Sequence, residues 1–294
     1  MDLSLPDSVR VKLDQTLAQW RHWHCEAPLP GPPEVLRLLG AGRSNYSVLV
    51  AADRPCVVRI DGINPAINGL NRQWEWRALE SAHAAGLAPR PRYFNPDLGS
   101  LVTDYLPHED DATSMQEVAT LLRAVHALPP RHHRLDLGER ILRYEKHLEH
   151  HGRPIDRGLR ECRPAVLEIL SVLQAEPGQL VLCHNDLLAA NRVRSDGRLW
   201  AIDWEYCAMG SPWYELAVVT HGDNLAAEDS EALLGTYLQR TPDSAEHQRL
   251  ARYGCVYRYL ELLWFLALDH AALSGQERDS REDALAALLL DLRD

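Results

Sequence analysis

The sequence predicts an α+β protein in which a small antiparallel sheet precedes a mostly helical region. Within the first 106 of the 294 residues, five short apolar segments are bounded by glycine, proline or polar residues, as strands usually are. From residue 114 onwards, apolar residues recur mainly at helical spacing. Because strands grouped before helices are typical of α+β proteins, we expect a β-rich N-terminal domain over residues 1–106 and a helical domain over residues 107–294.

The N-terminal domain is expected to begin with a helix over residues 8–23, which ends at the prolines that follow. A second helix is expected over about residues 71–85. The five predicted strands are residues 35–39, 46–51, 56–60, 89–93 and 100–105.

A glycine-containing loop joins the first two predicted strands and includes Gly40, Gly42, Ser44 and Asn45. Glycines at such a place let the backbone approach a phosphate closely. A plain hairpin turn explains the same pattern, so the loop alone does not decide between the two.

The second domain is expected to consist mainly of helices. The charged stretch before residue 163 contains five histidines at untidy spacing, so we expect an irregular region with surface histidines rather than a metal site. The histidines are His132, His133, His147, His150 and His151. The predicted helices are at about residues 114–128, 163–174, 211–219, 226–240, 249–272 and 283–292.

The most informative stretch is a hairpin between two polar loops. Asp196 and Gly197 form a strong two-residue turn signal between two strand-like segments. If the turn is centred there, Asn191 lies opposite Ile202, next to Asp203, so that two oxygen-bearing side chains project about 5 Å apart. One Mg²⁺ ion with ligands at about 2.0–2.1 Å could bridge that span.

Asp186 precedes Asn191 by five residues on the same loop. A carboxylate there could hydrogen-bond a substrate hydroxyl while Asn191 and Asp203 hold the metal, which is the division of roles that phosphoryl transfer requires. A turn-forming role explains each of these residues singly, but not their combination.

These loops resemble those of a known superfamily. His184 to Asn191 is similar to the H-x-D-x-x-x-x-N catalytic loop of the aminoglycoside phosphotransferase and choline kinase superfamily, which is related to the protein kinases. The D-W-E-Y run at residues 203–206 resembles the metal-binding element of its choline kinase and thiamine kinase branches. The resemblance implies a protein kinase-like two-lobed fold with the active site in the cleft. It also implies that Asp186 is the catalytic base, within a catalytic loop that begins at His184, and that Asn191 and Asp203 are Mg²⁺ ligands.

The resemblance further implies an ATP site. The loop from Gly40 to Asn45 matches the position of the family's nucleotide loop. Asp104, Tyr105 and Leu106 match the hinge, whose backbone groups recognise adenine.

The phosphate-binding cation is expected to be Arg59. In protein kinases a lysine on the third strand has this role, but the two lysines of this chain, Lys12 and Lys146, lie on no predicted strand. Choline kinase-like proteins also carry arginine at the position of Arg59, and a guanidinium can bind phosphate oxygens bidentately. Glu75 is the favoured partner of Arg59, with Glu80 as the alternative.

The acceptor is expected to be a small cationic alcohol. Residues 1–106 contain 11 basic and 11 acidic residues, so the whole net charge of −11 lies in the rest of the chain, which disfavours nucleic acid and attracts cations. An acidic surface kept for solubility explains the same excess. The D-W-E-Y run favours choline or a related amino alcohol first and thiamine second, with an aminoglycoside as a further alternative.

A predicted C-terminal helix carries an aromatic stripe. Spacings of four and seven residues place Tyr253, Tyr257 and Trp264 on one face with Glu261. Such a wall can bind quaternary or aromatic cations, although core packing explains the stripe as well. The candidate acceptor-binding residues are Glu205, Tyr206, Trp213, Tyr253, Tyr257, Glu261 and Trp264.

Two other classes of protein compete with a kinase. A non-catalytic nucleotide-binding protein would be expected to lack the base, a metal ligand or the phosphate-binding cation, yet all have candidates. A nucleic acid-binding or protein-binding helical module leaves residues 184–203 unexplained. The charged amino terminus and the lack of a long apolar run predict neither a signal peptide nor a membrane span, and the six scattered cysteines predict free thiols, as in a soluble cytoplasmic protein.

Overall fold

The structure is a computed structural model that describes residues 5–41, 44–176, 178–268 and 273–292. Its chain divides into two compact units, each built from several segments. The N-terminal unit consists of residues 1–65, 71–111 and 193–205, and the helical unit consists of residues 66–70, 112–192 and 206–294.

The N-terminal unit is built on a five-stranded antiparallel sheet with the strand order β1-β2-β3-β5-β4. Its strands are β1 (Glu34–Ala41), β2 (Asn45–Ala51), β3 (Pro55–Asp61), β4 (Pro91–Asn95) and β5 (Ser100–Asp104). Val48 and Val50 of β2 and Val58 and Ile60 of β3 are fully buried, so these two strands form the centre of the core. The predicted sheet is therefore confirmed.

Two helices accompany this sheet. Helix α1 (Asp7–Ala18) buries Val9 and Leu13 in the same core as the strands. Helix α2 (Arg72–Ala84) begins at Asn71, whose side chain accepts hydrogen bonds from two backbone N–H groups of the first turn. This N-cap fixes the start of α2. Glu75 thereby falls in the first turn and is buried.

Helices make up most of the second unit. They are α3 (Met115–His126), α4 (Leu137–His150), α5 (Arg157–Ala175), α6 (Pro212–Gly222), α7 (Ala227–Leu238), α8 (Ser244–Leu268) and α9 (Gly275–Asp291). None of the helices in the described part of the chain is long and apolar enough to cross a membrane. The last four residues of the predicted helix at 249–272 lie outside the described residues.

The prediction of an irregular region before residue 163 is wrong. Helix α4 occupies it, with Asp136 as N-cap and with Ile141, Tyr144 and Leu148 buried at helical spacing. Helix α5 also begins earlier than predicted and contains Pro164. The apolar residues of α4 are few and its outer face is charged and rich in histidine, so its helical periodicity was not recognised in the sequence.

Four short strands frame the polar loops. They are β6 (Val181–Cys183), β7 (Arg192–Ser195), β8 (Arg198–Ala201) and β9 (Ala208–Gly210), paired as β6 with β9 and β7 with β8. Asp196 and Gly197 have φ angles of 52° and 70°, as a two-residue type I′ turn requires. The predicted hairpin is therefore confirmed.

Candidate active site

The catalytic loop leaves β6 in the helical unit and is held by its own hydrogen bonds. The Nδ2 atom of Asn191 donates to both the backbone oxygen and Oδ2 of Asp186, each at 2.8 Å. Asn185 has a φ of 63°, and its Nδ2 atom donates to the backbone oxygen of Tyr206 at 3.1 Å. Asn191 thus orients the Asp186 carboxylate, while its own Oδ1 is the atom suited to a cation.

A buried group behind this loop was missed by the sequence analysis. Glu215, in the first turn of α6, accepts a hydrogen bond from the Asn185 backbone N–H at 2.9 Å and lies 2.6 Å from Nε2 of His126. The other ring nitrogen of His126 lies 2.8 Å from the hydroxyl of Tyr237. A charged residue on a helix that is otherwise apolar was the signal for Glu215 in the sequence.

His126, Glu215 and Cys183 also form a group whose ligand atoms lie within 4.8 Å of one another. Burial and the Glu215 carboxylate raise the pKa of the Cys183 thiol well above its ordinary value, so the thiol stays protonated. Because hydrogen bonds already engage Glu215 and His126, we interpret this group as the support of the catalytic loop rather than a metal centre.

In the N-terminal unit, the predicted pair of Arg59 and Glu75 is present. The Nη1 and Nη2 atoms of Arg59 lie 2.6 and 2.8 Å from the two carboxylate oxygens of Glu75, and Nη1 also lies 2.5 Å from Oδ1 of Asp203. Burial alone would lower the pKa of Arg59, but Glu75 and Asp203 raise it well above its ordinary value. Arg59 is therefore a permanent cation in contact with the predicted metal ligand.

A second arginine extends this group, and the sequence analysis missed it. Arg72 lies 2.8 Å from Glu75, 2.9 Å from Glu205 and 2.5 Å from Asp61. Its position three residues before Glu75 on one helix was the available signal. We call the six side chains the arginine cluster: Arg59, Asp61, Arg72, Glu75, Asp203 and Glu205.

The arginine cluster engages two residues that were expected to bind ligands. The Oε2 atom of Glu205 accepts from Arg72 and, at 2.9 Å, from Nδ2 of Asn45. Glu205 is buried, and this position favours a structural role over binding of a cationic acceptor. Asn45 likewise uses its amide for Glu205.

The donor set suits Mg²⁺. Asp203 is the most exposed carboxylate of the arginine cluster, with 28% of its side chain accessible. The cluster contains four carboxylates and two guanidiniums, which leaves an excess of negative charge that a divalent cation can balance. The Asp203 carboxylate is an oxygen ligand of the kind that Mg²⁺ prefers.

The predicted nucleotide-binding loop lies only partly within the described part of the chain. Gly42 lies outside the described residues, and Gly40 is the next-to-last residue of β1. The backbone oxygen of Ser44 accepts from the N–H groups of Gly62 and Ile63 at 2.8 and 3.3 Å, which ties the loop to the end of β3.

The predicted hinge is anchored to the sheet at two of its three residues. The backbone N–H of Asp104 donates to Arg90, and its carboxylate binds Arg92. The backbone N–H of Tyr105 donates to Pro55. Asp104 and Tyr105 are thus tied to the sheet by their backbone N–H groups.

The aromatic stripe on α8 is divided between core and site. Tyr253 and Tyr257 are buried, and each packs edge-on against Tyr214 with ring centroids 6.4 Å apart. Burial raises the pKa of Tyr257 well above its ordinary value, and the charges of Glu261 and Asp186 raise it further. The Tyr257 hydroxyl donates to Glu261 at 3.3 Å and is within electrostatic range of Asp186, whereas Tyr253 belongs to the core.

The half-buried aromatics form a second group near the catalytic loop. Nε1 of Trp264 donates to the hydroxyl of Tyr206 at 3.1 Å, and the guanidinium of Arg140 lies 5.5 Å from the Tyr206 ring centre. Trp213 instead faces Arg249, at the other end of α8. Residue 249 precedes Glu261 by about 18 Å of helix, so Trp213 is not part of this group.

Glu261 is already neutralised. Its carboxylate accepts from Arg258 at 3.1 Å and from Arg281 at 2.6 Å, in addition to the Tyr257 hydroxyl at 3.3 Å. We therefore expect Glu261 to orient Tyr257 rather than to attract a cation by its charge.

The antiparallel sheet, the buried pair of Arg59 and Glu75 and the helical unit with its catalytic loop define a protein kinase-like fold. The chain belongs to the phosphotransferase enzyme family, whose sequence profile matches residues 35–253. The fold and superfamily indicated by the two sequence motifs are thus confirmed.

Three relatives illustrate this membership. Protein LicA of Haemophilus influenzae is 32% identical over 121 residues, which cover 37% of this chain and 44% of LicA, so the chain spans less than half of that relative. A choline/ethanolamine kinase family protein from Mesorhizobium loti has 25% identity and a TM-score of 0.73, with 95% of each chain covered. The choline kinase LicA of Streptococcus pneumoniae, at 24% identity, has the same TM-score, with 88% of this chain and 94% of that chain covered, and supports the fold alone.

Proposed function

We propose that this protein is an ATP- and Mg²⁺-dependent kinase that phosphorylates the hydroxyl of a small cationic alcohol, with choline or a related amino alcohol as the first candidate. The observation that carries the proposal is the Asp186 carboxylate, which the Asn191 amide holds by a hydrogen bond of 2.8 Å and whose charge acts on the hydroxyl of Tyr257. The Mesorhizobium loti relative is named as a choline/ethanolamine kinase family protein, which supports the same class of acceptor. We place the reaction in the cytoplasm, where ATP is available.

In this reaction the oxygen of the acceptor hydroxyl bonds to the γ-phosphorus of ATP while Asp186 accepts the proton of that hydroxyl. The bond between the γ-phosphorus and the β-phosphate oxygen breaks, and ADP leaves. Arg59 binds the phosphate oxygens and Asp203 and Asn191 would hold the metal, which supplies charge neutralisation when bound. Asn191 also orients the carboxylate of Asp186, because the Asn191 amide donates a hydrogen bond to Oδ2 of Asp186. Catalysis of this kind depends mainly on positioning and charge.

The acceptor would be bound mainly by aromatic faces. Arg140 is already placed over the ring of Tyr206, so that face is suited to a cation. A cationic head group desolvated against Tyr206 and Trp264 could gain about 2 kcal/mol for each good contact. Thiamine remains the second candidate because its rings would stack on the same side chains, while an aminoglycoside would need carboxylates, and Glu261 is engaged.

ATP consumption with purified protein and Mg²⁺ tests the proposal, with choline, ethanolamine, thiamine, aminoglycosides, sugars and homoserine as acceptors. We expect turnover with choline or ethanolamine and none when Mg²⁺ is chelated. If ATP binds but no acceptor is phosphorylated, a non-catalytic nucleotide-binding protein is favoured. Absence of ATP binding at millimolar ATP would overturn the kinase assignment itself.

A further inference from the structure

Arg72 makes more ionic contacts than any other arginine described in the structure. It is the first residue of α2 and only 7% exposed. Its Nη2 and Nε atoms lie 2.5 and 3.2 Å from the two carboxylate oxygens of Asp61, and its Nη1 atom lies 2.8 Å from Glu75 and 2.9 Å from Glu205. One guanidinium therefore links the end of β3, the first turn of α2 and the residues that follow β8.

Two of these contacts lead directly to proposed ligand-binding groups. Oε2 of Glu75 accepts from both Arg72 and Arg59, so the two guanidiniums together fix the orientation of that carboxylate. Glu205 follows Asp203 by two residues in the same tight elbow, where Asp203 has a φ of 61°. By fixing Glu205, Arg72 therefore also fixes the adjacent backbone and with it the orientation of the Asp203 side chain.

We propose that Arg72 is a positioning residue that sets the Mg²⁺ response of nucleotide binding. It would act through Glu205 on the metal ligand Asp203 and through Glu75 on the phosphate-binding Arg59. The inference rests on the proposed function.

The physical reason is the narrow geometry that each ligand requires. Mg²⁺ binds its oxygen ligands at about 2.0–2.1 Å in near-octahedral geometry, so a small displacement of Asp203 weakens binding strongly. Without Arg72, the buried carboxylates of Asp61, Glu75 and Glu205 would lose the cation they share. Such carboxylates repel one another and rearrange rather than stay buried and unpaired.

The test is the variant Arg72→Lys, which keeps the charge but loses the planar fork that reaches three carboxylates at once. Affinity for ATP is measured by calorimetry during a Mg²⁺ titration, and folding by circular dichroism during heating. We expect a folded protein that needs at least tenfold more Mg²⁺ for half-maximal enhancement of ATP binding. Its KM for ATP should rise more than its KM for the acceptor.

Arg163→Lys is the matched control. Arg163 of α5 forms a bidentate pair with Glu145 of α4 at 2.6 and 2.9 Å and touches no member of the arginine cluster. We expect its Mg²⁺ response to remain that of the wild type even though it loses a similar pair. A wild-type Mg²⁺ response in Arg72→Lys would overturn the inference and leave the proposed function intact.

Glu205→Gln provides a second route if Arg72→Lys does not fold. The amide keeps an acceptor for Arg72 but removes the charge, so we expect the same kind of shift, of smaller size. In the double variant the two effects should not add if Arg72 acts through Glu205, and full additivity would contradict that route. An unchanged Mg²⁺ response in Glu205→Gln would also contradict the proposal that Arg72 acts through Glu205. If the wild type itself binds no Mg·ATP, the proposed function and this inference both fail.

Discussion

Asp186 and Asp203 are expected to have separable roles at the scale of single residues. Asp186→Asn removes the proton acceptor while keeping an oxygen for the Asn191 amide, so we expect turnover to fall about 10²–10⁴-fold with nearly unchanged Mg·ATP affinity. Asp203→Ala removes the proposed metal ligand, which lies against Arg59, so the Mg²⁺ dependence of ATP binding should weaken as well. Single-turnover kinetics and calorimetry measure the two effects.

Asp196→Asn is a suitable control for both variants, because it changes a carboxylate in the β7–β8 turn, where asparagine also tolerates the positive φ of 52°. It should leave both turnover and ATP binding unchanged. Equal loss of ATP binding in the Asp186 and Asp203 variants would contradict the division between base and ligand.

His221, in the last turn of α6, is expected to make the protein sensitive to mild acid. Burial, and then the charge of Arg258, lower its pKa to about 4. Between pH 6.5 and 4 the unfolded chain therefore binds a proton at this position that the folded chain does not, and stability falls as the pH falls. The loss should reach about 2 kcal/mol at pH 5, since one pKa unit corresponds to about 1.36 kcal/mol.

Denaturant unfolding at pH 7 and pH 5 measures this effect. In His221→Asn the difference between the two pH values should shrink by about 2 kcal/mol. His132→Asn, at an exposed position, should behave like the wild type. An equal acid response in wild type and His221→Asn would show that other groups cause it.

At the scale of secondary structure, the sheet and hairpin could be predicted because their signals are local. Short apolar segments bounded by turn residues and the Asp196-Gly197 turn need no knowledge of distant partners. Helix α4 could not be recognised in the same way, since its buried face consists of Leu137, Ile141, Tyr144 and Leu148 among charged neighbours. Its core side becomes apparent only when the other helices are in place.

The same limit applies to the candidate site. Asp186, Asn191, Asp203 and Arg59 could be predicted as site residues because spacing and resemblance mark them. Arg72 was missed because its partners come from three separate segments of the chain. Sequence spacing alone cannot show that one guanidinium reaches them all.

The turn between β4 and β5 allows a test of the arginine cluster at this scale. Gly99 has a φ of 61°, and a Cβ there would lie 2.5 Å from Oδ2 of Asp61. Gly99→Ala should therefore combine backbone strain with displacement of a partner of Arg72. We expect a loss of at least about 1 kcal/mol in unfolding free energy and a weaker Mg²⁺ response.

Gly197→Ala is the matched control, since Gly197 has a φ of 70° but nothing within 4 Å of an added Cβ. It carries strain without the clash, so its stability loss should be smaller and its Mg²⁺ response normal. If the two variants behave alike, the contact with Asp61 has no influence on the arginine cluster.

At the scale of the whole molecule, the charge around the proposed acceptor group differs from the charge of the chain. The net charge is −11, yet Arg258 and Arg281 neutralise Glu261, and Arg140 lies over Tyr206. Long-range attraction of a cation would therefore come from the overall field, and its retention from aromatic faces and Asp186. These two contributions respond differently to salt.

A pair of acceptors that differ only in charge can separate them. Choline and its neutral carbon analogue 3,3-dimethylbutan-1-ol have the same shape, so cation–π binding predicts that kcat/KM for choline exceeds that for the analogue at least tenfold. Screening shortens the reach of charge from about 10 Å at 0.1 M to about 3 Å at 1 M salt. The advantage of choline should therefore shrink with salt but not vanish, because desolvated ring contacts are screened little. Arg140→Gln should lower the KM for choline by freeing the face of Tyr206. If kcat/KM for the neutral analogue equals that for choline at every salt concentration, the aromatic group is not a cation site.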